Sequence, residues 1–284
     1  MSSQILLVES ADCPGLVHAI TGVLFRRGLN VVRNAEYVDR TLSRFFMRTE
    51  FDGACDESSV VEEVLGLLPA GGLVRVSALA PKRIIVLAST EHHCLADLLV
   101  RHEFGDLNAH ILAVVSNHEA LGAFVNKFGI PFHHVGHAAP RTGTRLTREA
   151  HEARVLDVIA PYAADYLVLA KYMRVLSPAF VAKFESRIVN IHHSFLPAFA
   201  GARPYHQAFE RGVKVIGATA HFVTETLDDG PIIVQQVMPV DHTHGPRDLA
   251  QAGRDGEQLA LARALRLVFE DRVFLSGRRT VIFD

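Results

Sequence analysis

Ile84-Ile85-Val86-Leu87-Ala88 is the stretch that decides the fold. Five consecutive apolar residues leave no solvent-facing side, so the run reads as a strand covered on both faces, as in a parallel sheet. Outward from it the grammar alternates. His93 to His102 is helical, and Ile111 to Val115, Phe132 to Val135 and Tyr166 to Ala170 are further strands with helical stretches between. Arg187 to His192 is a strand running into the loop Ser194 to Ala202. Lys214 to Val223 and Ile232 to Val240 form a late antiparallel pair, and Asp248 to Phe269 is a long amphipathic helix. The pattern gives an open, mostly parallel α/β sheet, whose ligands sit at the carboxyl ends of strands. Gly136 to Thr147, rich in Gly, Pro, Thr and Arg, is its long loop.

Upstream of Ala80-Pro81-Lys82 the order differs. Ile5 to Val8 is strand-like, and Asp12-Cys13-Pro14-Gly15 turns into a helix carrying Leu16, Val17, Ile20, Val23 and Leu24, closed by Gly28. Val31 to Val38 and Phe45 to Phe51 make a hairpin, Glu57 to Leu68 is a second helix, and Leu73 to Ala78 is a last strand. This is a split β-α-β arrangement. One face of such a sheet lacks helices, so the reading expects a bare face and a homo-oligomer assembled through residues 4–79.

The 284 residues are 49% hydrophobic, enough for a buried core, and a formal net charge of -2 shows no basic excess for nucleic acid. Cys13, Cys55 and Cys94 form neither a disulfide framework nor a Cys-x-x-Cys pair, which fits a reducing cytoplasm. The opening Met-Ser-Ser-Gln runs directly into an apolar strand, so no signal peptide is expected. The apolar stretch Leu156 to Leu169 is too short and too charged to span a membrane. Sixteen histidines invite a metal reading. However, His92-His93, His133-His134 and His192-His193 are adjacent pairs, expected to point to opposite faces, and His-Glu-x-x-His is absent, so no metal is expected. A Gly-x-Ser-x-Gly elbow and a Gly-x-Gly-x-x-Gly phosphate loop are also absent.

Asn190-Ile191-His192-His193-Ser194-Phe195-Leu196-Pro197 carries the strongest chemistry. Asn190 and His192 are two apart at a strand's end and share a face. A carboxamide beside an imidazole can polarise a carbonyl and hold an oxyanion, and His192 can protonate a leaving nitrogen. The pattern equally fits a strand-end cap and a packed polar residue. Thr226-Leu227-Asp228-Asp229-Gly230-Pro231 offers a carboxylate to orient water, and also reads as an ordinary hairpin turn. Tyr172 to Pro178 follows a strand end, where a flat heterocycle could lie, or is simply a strand-to-helix connection.

Two resemblances sharpen these readings. Asp12-Cys13-Pro14-Gly15-Leu16-Val17, with Asn30, resembles the opening of an ACT domain. Residues from Pro81 onward resemble the folate-dependent formyltransferase fold through Asn190, His192 and Asp228, the last being the match to the family's aspartate rather than Asp229. Met173-Arg174-Val175-Leu176 is similar to that family's pterin segment. The combination is similar to the formyltetrahydrofolate deformylase family. It is sharpened by His93 to Leu99, Pro131-Phe132-His133-His134 and Phe195 to His206; segment 136–145 and Val234 depart from the pattern.

The resemblance implies an N-terminal ferredoxin-like ACT domain over 1–80 and a formyltransferase-like catalytic domain over 81–284. It implies hydrolysis of 10-formyltetrahydrofolate to formate and tetrahydrofolate. Asn190, His192 and Asp228 would be catalytic, and Met173, Arg174, Val175, Leu176, Val223 and Thr224 would bind substrate. No cofactor is implied. Methionine and glycine are the implied effectors, at Asp12, Pro14, Gly15 and Asn30.

The alternative is transfer to an amine. Glycinamide ribonucleotide transformylases, which resemble this domain, place a Gly-Ser-Asn phosphate loop after the first strand; here Ser89-Thr90-Glu91-His92-His93-Cys94 stands there, and Glu91 would repel a phosphate. Methionyl-tRNA formyltransferases carry a further C-terminal domain, which is not expected in a chain ending at Asp284. A sensor built on the first unit is the third reading.

Overall fold

The computed structural model describes residues 3–138, 144–197 and 204–284, so part of the Gly136 to Thr147 loop and of the Ser194 to Ala202 loop lies outside the described residues. The chain forms two compact units.

The first unit runs β1 (Gln4–Ala11), α1 (Leu16–Arg26), β2 (Asn30–Asp39), β3 (Arg44–Asp52), α2 (Glu57–Leu65) and β4 (Leu73–Ala78). Its antiparallel sheet has the order β2-β3-β1-β4, which is the expected β-α-β-β-α-β topology. Period-2 alternation splits β1 between two cores. Leu6 and Val8 meet Ile20, Val23, Leu24, Val60 and Val64 of the two helices. Ile5 and Leu7 point the other way. They are not bare as expected: with Phe46 they pack against Phe274, Val281 and Phe283.

Those last residues belong to β12 (Val273–Ser276) and β13 (Arg279–Ile282), a C-terminal hairpin that sequence reading did not assign. Glu270–Ser276 and Val281–Asp284 therefore group with the first unit, correcting the expected 81–284 domain. Apolar burial drives this, helped by Arg48, which donates to the Glu270 and Asp271 carbonyls.

The second unit contains β5 (Lys82–Ala88), α3 (His93–Glu103), β6 (Ala109–Ser116), α4 (Gly122–Val125), β7 (Phe132–His134) and α5 (Arg148–Ile159). It continues with β8 (Tyr166–Leu169), α6 (Pro178–Ala182), β9 (Ile188–His192), α7 (Pro204–Arg211), β10 (Val215–Phe222), β11 (Ile232–Pro239) and α8 (Pro246–Phe269). The sheet order is β11-β10-β9-β8-β5-β6-β7. Strands β7 to β9 run parallel to β5 and β6, and β10 opposes both β9 and β11. Ile84 to Ala88 is fully buried at the centre, as its sequence requires. The order reverses between β5 and β8, and crevices form at such a switch point. Among the described residues no helix is long and apolar enough to cross a membrane.

Candidate active site

The carboxyl ends of β8 and β9 and the β10–β11 loop enclose a cavity of about 530 Å³. All nine residues expected to be catalytic or substrate-binding line it: Asn190, His192, Asp228, Met173, Arg174, Val175, Leu176, Val223 and Thr224.

Asp228 reaches the cavity because its loop closes tightly on β10. Phe222 N–H donates to the Pro231 carbonyl (2.9 Å), and a Cβ at Gly230 would lie 1.7 Å from the Phe222 carbonyl, so only glycine fits. Asp228 itself adopts a left-handed conformation (φ 53°). The reading of this segment as a plain hairpin turn thus understates it. Asp229 also borders the cavity, but its carboxylate pairs with the exposed Arg278.

The His192 Nδ1 stands 3.3 Å from Asp228 Oδ1, while the buried Nε2 has no protein partner. The approach of His192 holds the Asp228 carboxyl below its usual range, against the opposing effect of burial. Asn190 and His192 share the face that their spacing demands. A further histidine, His221, completes the group. Its Nδ1 donates to the Phe222 carbonyl (2.8 Å), so Nε2 accepts from Asn190 Nδ2 at 3.2 Å. Its Nε2 is 4.0 Å from Asp228 Oδ1. Burial lowers its pKa, which favours this neutral form. Sequence reading missed His221 because its signal, a histidine inside an apolar strand, is also that of a packed polar residue.

The Met173–Leu176 loop is pinned at both ends. Ser89 Oγ accepts from Met173 N–H (3.0 Å) and bonds Asn117 (2.7 Å), and Asn117 bonds His137 (2.9 Å). Arg174 donates to His137 Nδ1 (2.7 Å), and burial followed by the Arg174 charge depresses the His137 pKa. Downstream, the buried Glu152 accepts from Ser177 N–H at 2.8 Å. Met173, Val175 and Leu227 remain exposed at the rim.

A second cavity of about 1140 Å³ adjoins, sharing Lys171, Met173 and His193 with the first. It holds Glu91, as expected after β5, and a buried group around Glu257. Glu257 Oε2 receives His93 Nε2 (2.8 Å) and Lys171 Nζ (3.1 Å), and Tyr205 donates to Oε1 (2.8 Å). Burial opposes the charge on Glu257, but these partners keep it ionised, with a pKa of about 2. His193 stacks on His192 at 4.8 Å, where burial and then Lys171 push its pKa down to about 4. The expectation that adjacent histidines diverge fails here because β9 ends at His192. It holds for His133 and His134, which bond Tyr162 and Glu119 respectively.

Among the described residues, His93, Cys94 and Glu257 form a group with metal-ligand spacing, but Lys171 already occupies Glu257. Burial also raises the Cys94 thiol pKa, against the thiolate a metal would need.

Residues 82–265 match the formyl transferase family. The formyltetrahydrofolate deformylase of Escherichia coli strain K12 is 48% identical over 282 residues, 99% of each chain. The chain belongs to the formyltetrahydrofolate deformylase family. The crystal structure of a formyltetrahydrofolate deformylase from Pseudomonas syringae superposes with a TM-score of 0.92 at 37% identity, covering 100% of this chain and 95% of that one. Glycinamide ribonucleotide transformylase 1 from Symbiobacterium toebii is more distant: TM-score 0.67, 33% identity, 76% of this chain and 100% of that one.

Proposed function

We propose that the protein hydrolyses 10-formyltetrahydrofolate to formate and tetrahydrofolate, and that Asn190, His192 and Asp228 carry the chemistry. The observation that supports this most is the convergence of the three side chains, with an unpartnered His192 Nε2, in one cavity beside an apolar rim.

The pterin lies against the rim formed by Met173, Val175, Leu176, Val223 and Thr224, with Arg174 fixing the loop. The formyl oxygen accepts from the second Asn190 Nδ2 hydrogen, the first being held by His221. Asp228 orients a water and draws its proton as the oxygen attacks the formyl carbon. Asn190 and His192 hold the oxyanion, a contribution worth about 10²–10³ in rate per donor. Collapse breaks the carbon–N10 bond, and His192 delivers the proton to N10. The products are formate and tetrahydrofolate, and the scheme needs no metal or cofactor.

Incubation with 10-formyltetrahydrofolate alone tests the activity. Equal amounts of formate and tetrahydrofolate are expected; turnover that begins only when an amine is added would favour transfer instead.

The first unit is read as an ACT domain that assembles a homo-oligomer, because β2 is exposed along most of its length at the sheet edge. Its effector site is the turn of Asp12, Pro14 and Gly15 with Asn30 beginning β2; Gly15 has φ 90° and open space around it. Methionine and glycine are the effectors to test there. The three cysteines are free, which suits a reducing cytoplasm.

A further inference from the structure

Of the residues shared by the two cavities, Lys171 has no part in the reaction scheme above. Lys171 lies two residues beyond the end of β8 and is only 5% exposed, yet it borders both cavities. Its backbone is left-handed (φ 62°), a region unfavourable for a residue with a Cβ. A strained conformation carrying a buried charge persists only where the surroundings over-determine it, and such sites cluster where function needs them.

Here the surroundings are explicit. Lys171 Nζ is 3.1 Å from Glu257 Oε2, and that carboxylate is fixed in turn by His93 and Tyr205. Tyr205 lies flush on α8: a Cβ at Gly253 would come within 2.1 Å of its hydroxyl. Three side chains from three helices, Glu257 of α8, His93 of α3 and Tyr205 of α7, therefore hold one lysine in place.

We propose that Lys171, clamped by Glu257, is a specificity-determining residue that closes the acceptor side of the formyl group, so that water reaches the carbon and an amine does not. The proposal rests on the hydrolase reading above. The second cavity, at about 1140 Å³, is far larger than the roughly 30 Å³ that a water takes up in the liquid. It can hold an organic amine, and an amine reacts with the same polarised carbonyl. The Lys171 side chain stands at the border of both cavities, where that amine would have to pass to reach the formyl carbon.

Opening the passage allows a defined second reaction. The amine nitrogen pair bonds to the formyl carbon, and the carbon–N10 bond breaks with its pair left on N10. The proton lost by the amine ends on N10. With glycinamide the products are N-formylglycinamide and tetrahydrofolate.

The test incubates the full chain with 10-formyltetrahydrofolate and excess glycinamide and quantifies formate and N-formylglycinamide. The wild type is expected to give formate with only a trace of N-formylglycinamide. Lys171→Gly combined with Glu257→Gln removes the ammonium and its counter-charge together and suits the left-handed backbone. It is expected to raise the N-formylglycinamide share at least ~10-fold, the low end for discrimination by pocket shape. Lys171→Met keeps the volume and is expected to stay at the wild-type ratio. If the double variant fails to fold, Lys171→Ala is judged by the same ratio. Unchanged partitioning in a folded, active open variant would overturn the proposal, as would diversion beyond a trace in the wild type or equal diversion in Lys171→Met. The wild-type arm without glycinamide reads hydrolysis itself, so failure of that reading appears there and not in the ratio.

Discussion

Asn190 Nδ2 donates to His221 Nε2 across 3.2 Å, and His221 can accept only because its Nδ1 hydrogen is committed to the Phe222 carbonyl. This fixes the carboxamide so that its remaining hydrogen serves the cavity. His221→Phe removes the acceptor and frees Asn190 to rotate. A fall in kcat of about 10–10² is expected with KM little changed, since geometry alone can cost that much. Steady-state kinetics decide it; an unchanged kcat would remove His221 from the site.

Asp228 and Asp229 separate by role. Asp228→Asn loses the proton acceptor 3.3 Å from His192 and is expected to lower kcat by at least ~10² while folate binding survives. Asp229→Asn breaks only its exposed pair with Arg278 and is expected to keep near wild-type activity. The reverse pattern would move the assignment by one residue.

Acid lowers stability through the histidines. His221 and His193 are both depressed by burial, the latter to about 4. Their neutral forms are favoured in the folded state, so this stabilisation is complete above the unfolded value of about 6.5. It declines as pH falls from there toward the folded values, because the unfolded chain binds more protons. Chemical denaturation from pH 7 to 5 is expected to show falling stability, with a smaller slope in His193→Gln. A flat profile contradicts the buried neutral assignment.

The reach of sequence reading follows periodicity. Ile84 to Ala88 announces a buried parallel strand because nothing in it tolerates water, and β1 announces its helix-facing core through alternation. Asn190 and His192 were legible because spacing by two on a strand fixes a shared face. His221, Lys171 and Glu257 were not, since each meets its partners only through tertiary contacts: Lys171 and Glu257 are 86 positions apart in sequence yet 3.1 Å apart in space. The C-terminal hairpin was missed for a related reason. Phe274 and Phe283 are too few to form a pattern, and their place is set by the face of β1 that they cover.

That cover has a measurable weight. Phe274 makes edge contacts with Phe46 and Phe283, both at 5.6 Å between ring centroids. Phe274→Ala is expected to cost about 3–5 kcal/mol of stability in the first unit. Thermal unfolding checks it; an unaltered midpoint would show that the hairpin adds little to that unit.

The most direct measurement of the central claim is turnover of 10-formyltetrahydrofolate in oxygen-18 water with no amine present. Attack by water oriented at Asp228 predicts one solvent oxygen in every formate released, matched by an equal amount of tetrahydrofolate. It also predicts that Asn190→Ala, His192→Ala and Asp228→Asn each suppress that labelled product. Formate without solvent oxygen, or labelled formate undiminished in all three variants, would contradict the account.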